Sequence, residues 1–274
     1  MYGKSANENR WTIIALISLV ILLPHTAFSQ KQRLPESKIN DLSKKSLFIN
    51  IIKDGSVTGR ATGFLVLWKN RPYLITNWHV VTGHHPLDPL QYAEKRRPDS
   101  LRIIFHAWST GVWIKGGGEA IFDTSGNPRY FEHPDKWVDI VALPIANFDT
   151  TLLKLHYFDL SLRNSNLIPE VGMPVFIIGF IEGLTGPGVF PIWKAGHIAS
   201  EPSLKYRGNE AFLIDATTRG GMSGSPVVLK QKNCTTGKDD IVFLGVYAGR
   251  LSQNSEIGLV WKPQNIMAIL ETIK

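Results

Sequence analysis

The chain has 274 residues, of which 43% are hydrophobic and 19% charged, and its formal net charge is +7. This composition excludes wholesale disorder and supplies enough apolar side chains for a core. The positive charge suggests nucleic-acid binding, but no run of consecutive Lys and Arg exceeds three residues, and no zinc or RNA-binding motif is visible. We therefore expect a solvated basic surface and no nucleic-acid partner.

Residues 1–29 have the pattern of a signal peptide. Two basic residues precede an apolar stretch, residues 11–23, and the small residues Ala27 and Ser29 predict cleavage before Gln30. The apolar stretch is too short to span a bilayer comfortably. We therefore expect an exported protein with no stable membrane insertion once this segment is cleaved. An uncleaved anchor is the alternative.

The chain contains a single cysteine, Cys234, in a polar loop. One cysteine cannot form an internal disulfide, so the stability of the fold must come from its hydrophobic core. An exported protein without disulfides fits a bacterial periplasmic or secreted origin.

Short apolar runs separated by turn signals follow residue 45. Residues 63–68 and 73–76, joined by a four-residue turn that contains Asn70 and Pro72, have the pattern of a β-hairpin. Many similar runs argue for an all-β sandwich or barrel architecture. The apolar residues of 263–273 recur at helical spacing and predict a C-terminal helix.

A glycine-rich loop between two strand-like runs contains Ser223. The loop reads Gly220-Gly221-Met222-Ser223-Gly224, and glycines suit a tight loop that exposes its own amides. A serine in such a loop can act as a nucleophile, with neighbouring N–H groups to bind a developing oxyanion. The same composition also suits a simple turn, so partners elsewhere must decide between the two interpretations.

Two possible partners for Ser223 lie upstream of it. Among eight histidines, His79 is the one set between an apolar run and a Val-Val pair. Asp139 opens an apolar run and is preferred to Asp123 and Asp135, because a carboxylate at the edge of a buried strand needs a partner. The chain order His, Asp, Ser is that of chymotrypsin-type enzymes.

These three motifs resemble those of the chymotrypsin-like serine protease superfamily. The chain looks most similar to bacterial members without disulfides, of the glutamyl endopeptidase and high-temperature-requirement protease types, over roughly residues 45–274. The resemblance implies two six-stranded antiparallel β-barrels and a C-terminal helix, with the active site in the cleft between the barrels. The expected divisions are a signal peptide (1–29), a flexible arm or short helix (30–45), an N-terminal barrel (46–160) and a C-terminal barrel with the closing helix (161–274).

The resemblance also assigns roles to residues. His79 would be the base, Asp139 would orient it, and Ser223 would be the nucleophile. The backbone amides of Gly221 and Ser223 would form the oxyanion hole. Asn77 and Trp78 depart from the small residues usual before the family histidine, which leaves the packing behind His79 open.

Four further residues would form the substrate pocket by resemblance: Thr217, Thr218, Tyr247 and Gly249. None of them is charged, so a preference for Lys or Arg before the cleaved bond is not expected. We expect small or apolar residues there, with acidic residues second. Met222 replaces the aspartate that pairs with a freed N-terminus in digestive relatives, so we expect no such activation switch.

The function expected from the sequence is that of a serine endopeptidase. It would hydrolyse peptide bonds of a protein or peptide substrate through an acyl-enzyme, without metal or cofactor. The alternative is a non-catalytic protein- or peptide-binding module on the same double-barrel fold, although such a module would not need an intact triad. The oligomeric state is left open.

Overall fold

The structure is a computed structural model that describes residues 39–84, 97–107, 113–146, 148–149, 151–164, 166–252 and 254–274. The predicted signal peptide lies outside the described residues. In the part of the chain that is described, no helix is long and apolar enough to cross a membrane. The helices are α1 (Asp41–Lys45), α2 (Trp78–Thr82) and α3 (Pro263–Thr272).

The first half of the chain forms one antiparallel sheet. Its strands are β1 (Ser46–Lys53), β2 (Ser56–Trp68), β3 (Arg71–Thr76), β4 (Ser100–His106), β5 (Trp113–Ala120), β6 (Phe131–Glu132) and β7 (Val141–Pro144), in the spatial order β5-β4-β1-β2-β3-β7-β6. The predicted hairpin is β2–β3, where Trp68 faces Arg71. Its two loop residues, Lys69 and Asn70, have φ of 46° and 60°, as a tight turn between twisted strands requires.

The second half forms a closed barrel. Its strands are β8 (Pro174–Gly179), β9 (Ile192–Ile198), β10 (Ala211–Asp215), β11 (Pro226–Lys232), β12 (Asp239–Arg250) and β13 (Ile257–Trp261), in the order β10-β13-β12-β11-β8-β9. Inward-pointing side chains from alternate strand positions, such as Val175 and Ile177 of β8, fill its interior. Closure leaves no unpaired edge among the described strands of this barrel.

The expected all-β fold with a C-terminal helix is confirmed. The second half closes with six strands, as predicted. The first half is instead a curled sheet of seven described strands. The two-residue strand β6 adds to β7 at one edge, and among the described strands it has no pairing with β5 at the other edge, so the sheet does not close. Of the segment predicted to be an arm or a short helix, residues 41–45 form α1, which buries Leu42 and Ser43.

Aromatic side chains join the two halves. Three rings meet there, with centroids 4.7–5.9 Å apart: Phe64 of β2, Phe158 from the segment between β7 and β8, and Phe243 of β12. The hydroxyl of Ser46 in β1 also donates to the carbonyl oxygen of Ile178 in β8 over 2.9 Å. Because this interface is apolar and closely packed, it fixes the sheet and the barrel relative to each other.

Candidate active site

The end of β3 and the start of α2 position His79. The helix ends at Gly83, whose φ of 76° suits a left-handed cap and whose N–H donates to the carbonyl oxygen of His79 over 2.9 Å. Val80 and Val81 are buried in the core of the first sheet. The short helix is therefore anchored by its apolar face, and His79, on its first turn, is left half-buried.

Asp139 lies directly beside His79. Its side chain is 4% exposed, and one carboxylate oxygen lies 2.7 Å from Nδ1 of His79. The other oxygen accepts a hydrogen bond from the backbone N–H of the same residue over 2.9 Å. When Nδ1 carries a proton for this bond, Nε2 of the imidazole is an acceptor. One buried carboxylate thus holds both the ring and the backbone of His79.

The two competing carboxylates from the sequence serve local turns instead. Asp123 accepts backbone N–H bonds from Ser125 and Asn127 over 2.9 and 2.8 Å. Asp135 accepts one from Trp137 over 3.0 Å. Both patterns are Asx turns, in which a side chain caps its own loop.

Ser223 lies in the loop between β10 and β11. Its hydroxyl donates to the carbonyl oxygen of Ala248 over 3.1 Å, and among the described residues it makes no hydrogen bond to His79. The loop nevertheless reaches the histidine segment through Thr62 of β2. The N–H of Thr62 donates to Ser223 O over 2.8 Å, and its carbonyl accepts the hydroxyl of Thr76, three residues before His79, also over 2.8 Å.

The amide of Gly221 is held in a fixed direction. The carbonyl of Gly220, in the same peptide group, accepts the N–H of Glu182 over 2.6 Å. Because C=O and N–H point in opposite directions in a trans peptide, this bond turns Gly221 N–H away from Glu182. Glycine is required here, since φ is 90° and an added Cβ would lie 2.2 Å from the carbonyl oxygen of Phe180.

The amide of Ser223 is fixed in the same way. The carbonyl of Met222 accepts the N–H of Ser225 over 3.0 Å, which orients the peptide group that carries Ser223 N–H. The Met222 side chain is fully buried in the barrel core. In the described part of the chain, the N–H groups of Gly221 and Ser223 have no protein acceptor. Two oriented, unpaired amides next to a serine hydroxyl can stabilise an oxyanion.

Two of the four expected pocket residues form a buried pair. The hydroxyls of Thr218 and Tyr247 are hydrogen-bonded, and both residues are buried. Burial raises the pKa of Tyr247 to about 12, so its phenol stays neutral. Thr217 is exposed and Gly249 is half-buried. Gly258, which was not predicted from the sequence as a pocket residue, leaves room for the Tyr247 ring. A Cβ added at Gly258 would lie 2.5 Å from Cε2 of Tyr247.

A match to a protein-family model identifies the family of this chain. Residues 61–235, well over half of the chain, match the family described as trypsin-like peptidase domain. The chain belongs to the trypsin-like peptidase family. The resemblance to chymotrypsin-like serine proteases is thereby confirmed, and so is the enzyme class, a serine-type peptidase. No curated protein sequence matches the chain.

A solved structure of a bacterial protease is similar in fold to this trypsin-like peptidase. The serine endoprotease from Yersinia pestis is 15% identical with a TM-score of 0.50, and the match covers 84% of this chain and 62% of that one. The chain therefore spans less than two thirds of that protein. The Rv3671c protease from M. tuberculosis in its active form is 18% identical with a TM-score of 0.49, and the match covers 85% of this chain and 82% of that one.

Proposed function

We propose that this protein is a serine endopeptidase that hydrolyses peptide bonds through an acyl-enzyme. His79 is the general base, Asp139 orients it, and Ser223 is the nucleophile. The observation that carries the proposal is the double hydrogen bond from His79 to the buried carboxylate of Asp139, at 2.7 and 2.9 Å. This arrangement leaves Nε2 of the imidazole as the acceptor that a serine nucleophile needs.

In the proposed reaction the Ser223 hydroxyl turns from Ala248 O toward Nε2 of His79. Its oxygen then forms a bond to the substrate carbonyl carbon while the imidazole takes the proton. The imidazolium, stabilised by Asp139, gives this proton to the leaving amine, and the C–N bond breaks. Water then attacks the carbonyl carbon of the resulting ester while His79 takes its proton, and His79 returns this proton to the Ser223 oxygen as the ester C–O bond breaks and the acid product leaves.

The negative oxygen that develops in each tetrahedral intermediate would be stabilised by the amides of Gly221 and Ser223. Their peptide groups are already held by bonds to the opposite carbonyls, so the donors need no reorganisation during the reaction. No metal or cofactor takes part in the proposed mechanism. Among the described residues, no group of His, Cys, Asp and Glu could hold a metal ion.

The proposed substrates are proteins or peptides with a small residue before the cleaved bond. The Tyr247 ring and the Thr218 hydroxyl are buried against each other in the region that the resemblance assigns to the primary pocket. The Arg219 side chain, a possible partner for acidic residues, already pairs with Glu256 at 3.2 Å. Export to the periplasm or the medium remains part of the proposal and depends on residues 1–29.

The test combines labelling and turnover. A fluorescent fluorophosphonate should label the wild-type protein and should not label Ser223→Ala, and casein hydrolysis should disappear in both Ser223→Ala and His79→Ala. The matched control is Ser225→Ala. The Ser225 hydroxyl is buried without a partner among the described residues, and alanine keeps the backbone N–H that the loop uses. Labelling of Ser223→Ala at the wild-type rate would contradict the role of Ser223, whereas a wild-type protein that is neither labelled nor able to cleave casein would leave the binding-module alternative.

A further inference from the structure

In the loop between β10 and β11, the four consecutive carbonyl groups of residues 220–223 each accept one hydrogen bond. Those of Gly220 and Met222 are bound by backbone N–H groups, as described above. The other two are bound by Thr62: its hydroxyl donates to Gly221 O and its N–H donates to Ser223 O, each over 2.8 Å. Thr62 therefore donates two of these four bonds, and its hydroxyl is the one side-chain donor among them.

The environment of Thr62 fixes the direction of its hydroxyl. The residue is fully buried, and its hydroxyl oxygen accepts the N–H of Phe180 over 3.1 Å. With that lone pair engaged, the hydroxyl proton is directed to Gly221 O. At Gly179 an added Cβ would lie 2.8 Å from this hydroxyl oxygen, so a glycine in β8 provides the room that the contact needs.

We infer that Thr62 is a positioning residue. It holds the loop of residues 220–223 in the conformation in which the amides of Gly221 and Ser223 can both donate to an oxyanion. This inference rests on the proposed function of Ser223 and of the Gly221 amide. The peptide bond between Gly221 and Met222 lies between the two donor amides, so its orientation limits the rotation of both. Without the hydroxyl, that peptide loses its bond to the first sheet, and the two donors lose their common orientation.

The variant Thr62→Val removes the hydroxyl and keeps the branched shape and the backbone N–H. We expect kcat on a fluorogenic peptide to fall by roughly 10- to 100-fold, somewhat less than the loss of an oxyanion donor itself, with KM changed by about twofold or less. Thr62→Ser keeps the hydroxyl and should restore kcat to within about threefold of wild type. The rate of labelling by a fluorophosphonate should follow kcat across the series.

Ser46→Ala is the matched control. Ser46 is also fully buried, and its hydroxyl also crosses from the first sheet to the barrel, but it binds Ile178 O and does not touch the loop. Its loss should lower Tm and leave kcat unchanged. If Thr62→Val does not fold by circular dichroism, Thr62→Ala removes the same hydroxyl and is measured in its place.

The outcomes separate the two proposals. A wild-type protein that neither cleaves peptides nor reacts with the fluorophosphonate overturns the proposed function and this inference together. An active wild type with a folded Thr62→Val of equal kcat overturns the inference alone. The inference is also wrong if Ser46→Ala loses kcat as much as Thr62→Val does, because the loss would then come from the interface in general.

Discussion

The side-chain amide of Asn77 donates to the backbone carbonyl of Asp139 over 2.6 Å, and both residues are buried. Asn77 departs from the family pattern, and no role for it follows from the sequence alone. In the structure it joins the start of the histidine helix to the segment that carries the aspartate. The bond therefore helps to hold His79, the proposed base, next to Asp139, the residue proposed to orient it.

We predict that Asn77→Ala weakens both stability and activity. The Asp139 carbonyl would lose its partner in a buried site, at a cost of about 1–3 kcal/mol in the free energy of unfolding. We expect a lower kcat as well, because the segments that carry His79 and Asp139 would lose one of the bonds that join them. Urea denaturation and peptide kinetics measure the two effects, and an unchanged free energy of unfolding would contradict the prediction.

The Tyr247–Thr218 pair predicts a change in substrate preference. Tyr247→Val removes the ring and should allow larger apolar residues before the cleaved bond, because the buried volume of the ring becomes available. Tyr247→Phe keeps the ring and loses the hydroxyl bond, so it should keep the preference for small residues. A random peptide library measures both variants. A wild-type profile dominated by Lys and Arg would show that the pocket has been assigned wrongly.

His106 predicts a loss of stability in acid. Burial, with the nearby charges of His156 and Lys44 adding to it, lowers the pKa of His106 from 6.5 to about 4 in the folded protein. Between these values the unfolded chain takes up a proton that the folded chain excludes, so stability falls as the pH drops from 6.5 to about 4. The full effect is on the order of 3 kcal/mol.

The variant His106→Phe tests this linkage. Phenylalanine can keep the ring stack on Phe190, whose centroid lies 4.9 Å from that of His106. Urea denaturation at pH 7 and pH 4.5 should show a smaller difference in this variant than in the wild type. Equal differences would place the acid sensitivity elsewhere in the molecule.

Met222 predicts activity without a defined N-terminus. Its side chain is fully buried in the barrel core and cannot form an ion pair, so packing holds the loop where digestive relatives use a new amine. Variants that start at Gln30 or Ser37, or that carry an added N-terminal tag, should have similar kcat. Each keeps Leu42, which is buried in α1. Activity confined to one authentic N-terminus would refute the argument from Met222.

Local patterns predicted much of the fold. The β2–β3 hairpin follows from its turn residues, and α3 follows from its apolar spacing, with Ile266, Ile269 and Leu270 buried as that spacing requires. The five-residue helix α2 was not predicted, because so short a segment has no helical period of its own. Its stability comes from the burial of Val80 and Val81.

The candidate site was predictable where a motif is contiguous and not where a contact is distant in sequence. His79, Asp139 and Ser223 each lie in a recognisable local pattern. Thr62 lies in an ordinary strand sequence, and its bond to Gly221 joins residues 159 positions apart. Such a contact depends on how the sheet and the barrel pack, and one sequence contains no local signal for it.

Helix α3 comes last in the sequence but packs against the first sheet. Its buried residues share a core cluster with Tyr73 and Ile75 of β3, and Lys69 in the β2–β3 turn donates to the carbonyl oxygen of Ile273. During synthesis, which proceeds from the N-terminus, this face of the sheet stays uncovered until α3 has emerged. The first sheet is therefore covered by a segment that is made after all six strands of the barrel, and a chain cut before residue 263 would leave an apolar face of that sheet exposed to aggregation.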